Sequence, residues 1–238
     1  MTCQHGLFGS GESPALIRPE ALAAGPKTQV WFQPIVDTFE HRILAHECRL
    51  RHEGDDNETS EAARTRVLAI HSAARQTPQG SYFFNLVPAS IDDPELDMRS
   101  TVKAIFDSGM NPGNVVFEVV ESDLARDPVH SHLIRDYLRS NKLGFALRGA
   151  GVGAGAYSFQ AVADFEPDYI NLDRRLAQHF DQPVCAPAIS KLVRIADKSG
   201  ARVIAEGVDR VRMVENLWLL GVRLMQGHLF GDPSTHIA

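Results

Sequence analysis

Short apolar runs alternate along the chain with longer segments whose apolar positions recur at helical spacing. The short runs are rich in Val, Ile, Leu and Phe and have the length of buried strands. We predict strands at residues 30–36, 43–51, 82–86, 115–120, 144–148, 169–172, 202–205 and 223–225. Strands alternating with helices predict an α/β fold. Eight of them favour a (β/α)8 TIM-type barrel, with a doubly wound open sheet as the structural alternative.

The ends of the helical segments carry local signals. Asp127 followed by Pro128 suits an N-cap and a first helical position. Gly200 follows an amphipathic segment and predicts its C-terminal end. Residues 1–27 contain scattered Gly and Pro, so we predict a flexible leader there and one barrel domain over 28–238.

Composition narrows the class of protein. The chain has 238 residues, 44% of them hydrophobic and 23% charged, enough for one sizeable core. A net charge of −6 argues against long nucleic acid as a partner, although a few arginines in one cleft can hold a small phosphorylated ligand. Cys3, Cys48 and Cys185 form no CxxC pair, which favours the reducing cytoplasm. No apolar stretch has the length of a membrane span, so we predict no direct membrane insertion.

Four polar residues fall at the predicted strand ends, where α/β barrels place their active sites. They are Glu47, Asn85, Glu118 and Glu206. Carboxylate and amide oxygens are the ligands that hard divalent cations prefer, and such ions can support phosphodiester hydrolysis. The alternative is that these side chains are helix caps or face loops.

Several motifs occur in the order typical of one family. They are FQPIV at 32–36, HECRLR at 46–51, FFNLVP at 83–88, FEVVES at 117–122, AEGVD at 205–209 and MQGHLFGDP at 225–233. By these motifs and their order, the chain resembles the EAL family of cyclic di-GMP phosphodiesterases over about 200 residues. The resemblance implies a (β/α)8 barrel of the EAL type and a bacterial signalling protein.

The resemblance also implies roles for individual residues. Glu47, Asn85 and Glu118 would bind metal, and Glu206 would be a further acidic, catalytic group. Glu121 would anchor the loop above them. The nucleotide would contact Gln33, Arg51, Asp209 and Gln226. An active domain would use Mg²⁺ or Mn²⁺, an inactive one would need neither, and a homodimer joined near the fourth to sixth strand–helix units is implied.

Three departures from the family pattern put hydrolysis in doubt. The family's adjacent aspartates after strand five fall on Arg148 and Gly149 or on Ala150 and Gly151, and no Asp or Glu occurs over 137–163. Asn171 replaces the family's lysine, and a third departure, Arg49, replaces the leucine of the naming motif. We hypothesise that an arginine takes the space of one metal and binds the remaining glutamates, because buried charges need partners. The alternative is that both arginines point to solvent.

The function predicted from these observations is a degenerate EAL-type signalling domain, catalytically weak or inactive, that binds cyclic di-GMP, a partner protein, or both. The alternative is a metal-dependent cyclic di-GMP phosphodiesterase that produces the linear dinucleotide. A glycine run at 151–156 resembles a short dinucleotide fingerprint. The segment after the run is a poor helix for holding a pyrophosphate, so we predict that the glycine run itself forms a loop.

Overall fold

The structure, a computed structural model, describes residues 29–51, 62–150 and 156–237. Its strands form a closed barrel in chain order. They are β1 (Gln29–Asp37), β2 (Arg42–Arg51), β3 (Tyr82–Asn85), β4 (Val115–Val120), β5 (Gly144–Ala150), β6 (Tyr169–Leu172), β7 (Arg202–Ala205) and β8 (Leu224–Met225). Because β8 pairs with β1 and closes the ring, the predicted barrel is confirmed. The alternative of an open sheet is wrong.

Helices follow most of the strands. They are α1 (Ala62–Gln76), α2 (Pro94–Asp97), α3 (Arg99–Asp107), α4 (Glu121–Arg126), α5 (Pro128–Ser140), α6 (Ala156–Phe165), α7 (Arg174–Gln178), α8 (Cys185–Ser199) and α9 (Val211–Leu219). The predicted caps are confirmed: the Asp127 carboxylate accepts the N–H of His130, and Gly200 ends α8 at φ 80°. The loop predicted for the glycine run lies outside the described residues, except for the last residue of the run, Ala156, where α6 begins.

One strand departs from the regular alternation. β1 runs antiparallel to both β2 and β8. Only residues 38–41 separate β1 from β2, and a parallel crossover needs a dozen or more residues. The Asp37 carboxylate closes this turn by accepting the N–H groups of Phe39 and Glu40. The chain therefore enters the barrel at the end where β2–β8 have their carboxyl termini.

Two apolar regions hold the barrel together. The larger lies between the strands and the surrounding helices and includes Cys48, which lies on the opposite face of β2 from Glu47, as alternation along a strand requires. The smaller fills the barrel interior, and we call it the apolar layer. It consists of Ile35, Ala45, Phe83, Val116, Ala146, Ile204 and Leu224, with Leu44 and Tyr169 packed against it.

Within the described residues, the helices are all too short or too polar to span a membrane. The predicted leader, residues 1–27, lies outside the described part of the chain, as does most of the glycine run. The boundary between leader and domain therefore stays a prediction.

Candidate functional site

Above the apolar layer, toward the carboxyl ends of β2–β8, the barrel interior is polar. Side chains that share a strand face recur every second residue, so each position two beyond the apolar layer also faces inward. We call this set the polar layer: Gln33, Glu47, Asn85, Glu118, Arg148, Asn171, Glu206 and Gln226. Of these, Glu47 and Asn171 are completely buried and Glu118 is nearly so. Asn85 is exposed.

Arg148 is the central cation of the polar layer. Its Nη1 donates to Asn85 Oδ1 at 3.0 Å, and its Nε lies 3.2 Å from Glu206 Oε1. The same Nη1 lies 3.7 Å from Glu47 Oε1. Burial lowers the pKa of Arg148, but the carboxylates of Glu206 and Glu47 outweigh it, and the net pKa is raised. The guanidinium therefore stays charged and contacts three of the four residues expected at the metal centre.

The backbone explains why Arg148 faces the site. Arg148 pairs with Asn171 of β6, and the register then shifts before Ala150 pairs with Leu172. Gly149 lies at this irregularity with φ 80°, a conformation that favours glycine. Because residue 148 faces the site, the structure agrees with the alignment that puts Arg148 and Gly149 at the family's aspartate pair.

Arg49 adds a second positive charge beside Glu47. Its Nη2 donates to Glu47 Oε2 at 2.8 Å, while 42% of the side chain remains exposed. Burial lowers the pKa of Arg49, but the hydrogen bond and charge of Glu47 raise it more. Arg49 thus lies on the same strand face as Glu47, and neither arginine simply points to solvent.

Asn171 joins two glutamates with one amide. Its Nδ2 donates to Glu118 Oε1 at 2.7 Å and to Glu206 Oε1 at 3.0 Å. Burial first, and then the nearby negative charge of Glu47, raise the pKa of Glu118 to about 8. At neutral pH Glu118 is therefore largely protonated, which lowers the negative charge that Arg148 and Arg49 must balance.

Gln226 donates to the same oxygen of Glu47 as Arg49 does. Its Nε2 donates to Glu47 Oε2 at 2.7 Å and to Gln33 Oε1 at 3.2 Å, and Gln33 in turn donates to the Gly231 carbonyl. Two of the residues expected to contact nucleotide are thus buried and hydrogen-bonded to each other. Gln226 supports Glu47 directly, and Gln33 does so only through Gln226.

The donor set of the polar layer has the right chemistry for a hard cation, but its arrangement does not fit a two-metal centre. Arg148 lies within ion-pairing or hydrogen-bonding distance of Glu47, Asn85 and Glu206. Across residues 29–51, 62–150 and 156–237, no three His, Cys, Asp or Glu side chains form a group able to hold a metal ion. A divalent ion would have to displace the guanidinium to reach these oxygens.

The remaining predicted residues lie around this layer. Asp209 lies in the loop after β7 and pairs loosely with Arg174, at 3.5 Å. Glu121 is buried at the first position of α4, directly after β4. Arg51 ends β2, and its side chain lies outside the described part of the chain.

Arg174 is a site residue that the sequence reasoning missed. It begins α7 and crosses Gly207, where a Cβ would lie only 2.7 Å from Arg174 Cγ. Together with Arg49, Asp209 and His228 it lines a cleft of about 100 Å³ beside Gln226. The available signal was its position, three residues beyond Asn171 at the end of a predicted strand.

These features define a (β/α)8 barrel whose carboxyl-end site contains three glutamates, four amides and a central arginine. A sequence profile described as EAL domain matches residues 18–233, so the chain belongs to the EAL domain family. The match begins within the segment expected to be a leader.

Individual relatives agree with this assignment. Cyclic di-GMP phosphodiesterase RocR of Pseudomonas aeruginosa is 30% identical over 156 residues, which cover 63% of this chain and 38% of RocR. Cyclic di-GMP phosphodiesterase PdeL of Escherichia coli is 26% identical over 126 residues, 51% of this chain and 34% of PdeL. The chain thus spans little more than a third of either relative.

Solved structures share the fold. A standalone EAL protein from Vibrio cholerae O395, in a c-di-GMP-bound form, superposes with TM-score 0.81 at 24% identity and covers 91% of this chain and 96% of that one. Klebsiella pneumoniae BlrP1 in a calcium/cy-diGMP complex gives TM-score 0.82 at 22% identity, with coverage of 93% and 59%. At these identities the likeness concerns the fold.

Proposed function

We propose that this chain is a degenerate EAL-type signalling domain, catalytically weak or inactive, which binds cyclic di-GMP, a partner protein, or both. The observation that carries the proposal is the position of the Arg148 guanidinium among Asn85, Glu206 and Glu47. A fixed positive charge there does for the carboxylates what a metal ion would otherwise do. It cannot supply the metal-bound hydroxide on which metal-assisted hydrolysis depends.

Charge balance supports this reading. Two arginines face three glutamates, and the raised pKa of Glu118 leaves it largely protonated near pH 7. The polar layer is then close to neutral without any ion. A divalent cation entering it would separate Arg148 from its partners and leave that guanidinium partly buried and unpaired, which is costly.

Binding of cyclic di-GMP is supported by the family and by the residues beside the cleft. The related proteins from Vibrio cholerae and Klebsiella pneumoniae were solved with this nucleotide. Gln33, Asp209 and Gln226 occupy the corresponding motifs, and Arg51 offers paired donors for a phosphate. The cleft of about 100 Å³ is small beside the roughly 300–1,000 Å³ of ordinary ligand pockets, so nucleotide binding would require it to widen.

A partner protein is the second ligand class within this proposal. Only nucleotide binding needs Arg51 and Gln226 to engage phosphate and guanine. Arg51→Ala should therefore abolish nucleotide binding and leave a protein interaction intact. The homodimer and the cytoplasmic location remain predictions.

The alternative function is a metal-dependent cyclic di-GMP phosphodiesterase producing the linear dinucleotide. One observation favours it: within the described residues, Glu47 Oε1 and Glu118 Oε2 are buried and accept no hydrogen bond. Buried carboxylate oxygens of this kind can bind a cation, provided that Arg148 first leaves Glu47 Oε1. With Asn85, they would be the ligands of one Mg²⁺ or Mn²⁺ ion.

Calorimetric titration of cyclic di-GMP, once in EDTA and once in Mn²⁺, followed by chromatography of the recovered nucleotide, separates these readings. Saturable heat in EDTA with intact nucleotide in both runs supports the nucleotide receptor. Linear dinucleotide formed only with Mn²⁺ supports the phosphodiesterase and overturns the proposal of an inactive domain. If the titration gives neither heat nor product, the protein-interaction module remains as the proposed function.

A matched variant sharpens the chemistry. Arg148→Asp puts a carboxylate where the family has one and removes the central cation. If Arg148 is what blocks metal binding, this variant should bind Mn²⁺ more tightly than the unmodified chain. Arg212→Asp makes the same change of charge on the exposed side of α9 and should leave Mn²⁺ affinity unchanged.

A further inference from the structure

A second cleft lies between the loop after β3 and the start of α5, and the proposed function does not use it. Its volume is about 380 Å³, within the range of small-ligand sites. Pro88, Ala89 and Ile91 form an apolar wall on one side. The other side consists of residues from α4, the link to α5, and the first turn of α5. We call it the α5 cleft.

The α5 cleft is negatively charged. Asp92, Asp123 and Asp127 line it, against the single guanidinium of Arg126 among the lining residues. The N-terminus of α5 adds a partial positive charge, but the Asp127 carboxylate caps it by accepting the His130 N–H. Three full negative charges therefore exceed the positive ones, and the cleft favours a cationic ligand.

A buried hydroxyl at the cleft is independent evidence for a polar ligand. Ser131 is only 2% exposed, lines the cleft, and its Oγ has no hydrogen-bond partner within the described residues. A buried polar group left without a partner destabilises a folded protein. Its lone pairs can accept a hydrogen bond from a donor that enters the cleft.

Arg126 shows which kind of donor this cleft accepts. Its Nη1 lies 3.4 Å from Asp123 Oδ1, and 75% of the Arg126 side chain is exposed whereas 19% of the Asp123 side chain is. An exposed guanidinium thus already reaches the better-buried carboxylate. A bare metal ion is a poorer fit, because no metal-binding group of three side chains exists in the described ranges.

We propose that the α5 cleft binds a basic side chain, preferentially arginine, from a peptide segment of a partner protein. The guanidinium replaces Arg126 at Asp123, extends toward Asp92, and donates to Ser131 Oγ. Val87 and Val129, which are 40% and 75% exposed, lie next in sequence to the lining residues Pro88 and His130. They offer apolar contacts to the residues that flank the arginine in a peptide. A free cation has no such flanking residues.

The test is fluorescence anisotropy with the full chain and a labelled pentapeptide that has a central arginine flanked by leucines. Saturable binding should weaken about tenfold when glutamine replaces the arginine, and also when Asp123→Asn is made, since one lost charge-assisted contact is worth about a factor of ten. Glu215→Gln, an exposed charge change on α9, should have no effect. Equal binding of both peptides would overturn the proposal, as would competition by free methylguanidine at the peptide's own affinity.

Two further variants have effects that a merely structural role would not produce. Arg126→Ala removes the internal competitor and should strengthen peptide binding. Ser131→Ala should weaken binding several-fold while raising the melting temperature of the free chain, because it removes an unpaired buried hydroxyl. A Ser131→Ala chain that melts at a lower temperature and binds peptide normally would contradict the assigned role.

Discussion

The barrel interior has two halves of opposite character. The apolar layer, which includes Phe83 and Ile204, is stabilised by the burial of apolar surface. The polar layer two residues above it places Glu47 and Glu118 in almost complete burial and depends on hydrogen bonds and opposite charges. Each strand contributes to both, so one strand face changes from core to site within two residues. The lower half is therefore sensitive to loss of volume, whereas the upper half is sensitive to loss of charge balance.

Removing volume from the apolar layer should have the largest effect. Phe83 is almost fully buried, with its ring 5.0 Å from that of Tyr169. Phe83→Ala should lower the free energy of unfolding by about 3–5 kcal/mol, through lost burial and the cavity left behind. Urea unfolding measures this. Phe106→Ala, the same change at a ring that is 57% exposed, is the control and should cost about 1 kcal/mol or less.

Removing charge balance from the polar layer should come next. Arg148→Ala leaves Glu47 and Glu206 without their central cation and should cost about 3 kcal/mol, as expected when one partner of a largely buried pair is removed. Arg212→Ala on the exposed side of α9 is the control. Adding Glu206→Gln to Arg148→Ala should cost less than the two single changes together, by about 1 kcal/mol. Strict additivity would mean that the two side chains do not interact in solution.

The polar layer should also make stability depend on pH. The folded-state pKa of Glu118 is about 8, well above its usual value of 4.5, so between these pH values the folded chain holds a proton that the unfolded chain releases. The contribution of protonated Glu118 to the free energy of unfolding is complete below about pH 4.5 and is lost as the pH rises through about 8. The free energy of unfolding falls over this range by at most ~1.4 kcal/mol per pH unit. Urea unfolding at pH 6, 7 and 8.5 measures the slope. The slope should flatten in Glu118→Gln, and an unchanged slope would show that another group causes the pH dependence.

Arg49 should show the smallest effect. Its side chain is 42% exposed, so water screens its ion pair with Glu47. Arg49→Ala should therefore cost less than about 1 kcal/mol in urea unfolding, and that cost should shrink in 0.5 M salt. A loss as large as that of Arg148→Ala would show that the two arginines share the charge of Glu47 equally.

Much of the fold could be predicted from the sequence. All eight strands are present, and β4, β6 and β7 have the predicted bounds, because short buried runs between turn signals leave little choice. The direction of β1 was not predicted, although a separation of four residues from β2 already excludes a crossover helix. Hydrophobic pattern identifies a strand but says nothing of the direction of its neighbours.

The site was only partly predictable. The resemblance pointed to Glu47, Glu118 and Glu206. The structure brings Glu47 and Glu206 to one guanidinium and joins Glu118 to Glu206 through Asn171. Asn171 was recognised only as the loss of a lysine, because a sequence does not show that one amide reaches two carboxylates across the barrel. Arg174 was missed because its approach to Gly207 depends on how two loops meet in space.

The central claim is that Arg148 takes the place of a metal ion in the polar layer. Thermal unfolding of the unmodified chain and of Arg148→Ala, each in EDTA and in millimolar Mn²⁺, tests it most directly. Mn²⁺ should leave the melting temperature of the unmodified chain unchanged and raise that of the variant by several degrees, since an ion that binds only the folded state stabilises it. A rise of equal size in both proteins would contradict the account, because it would show that Mn²⁺ binds while Arg148 is present.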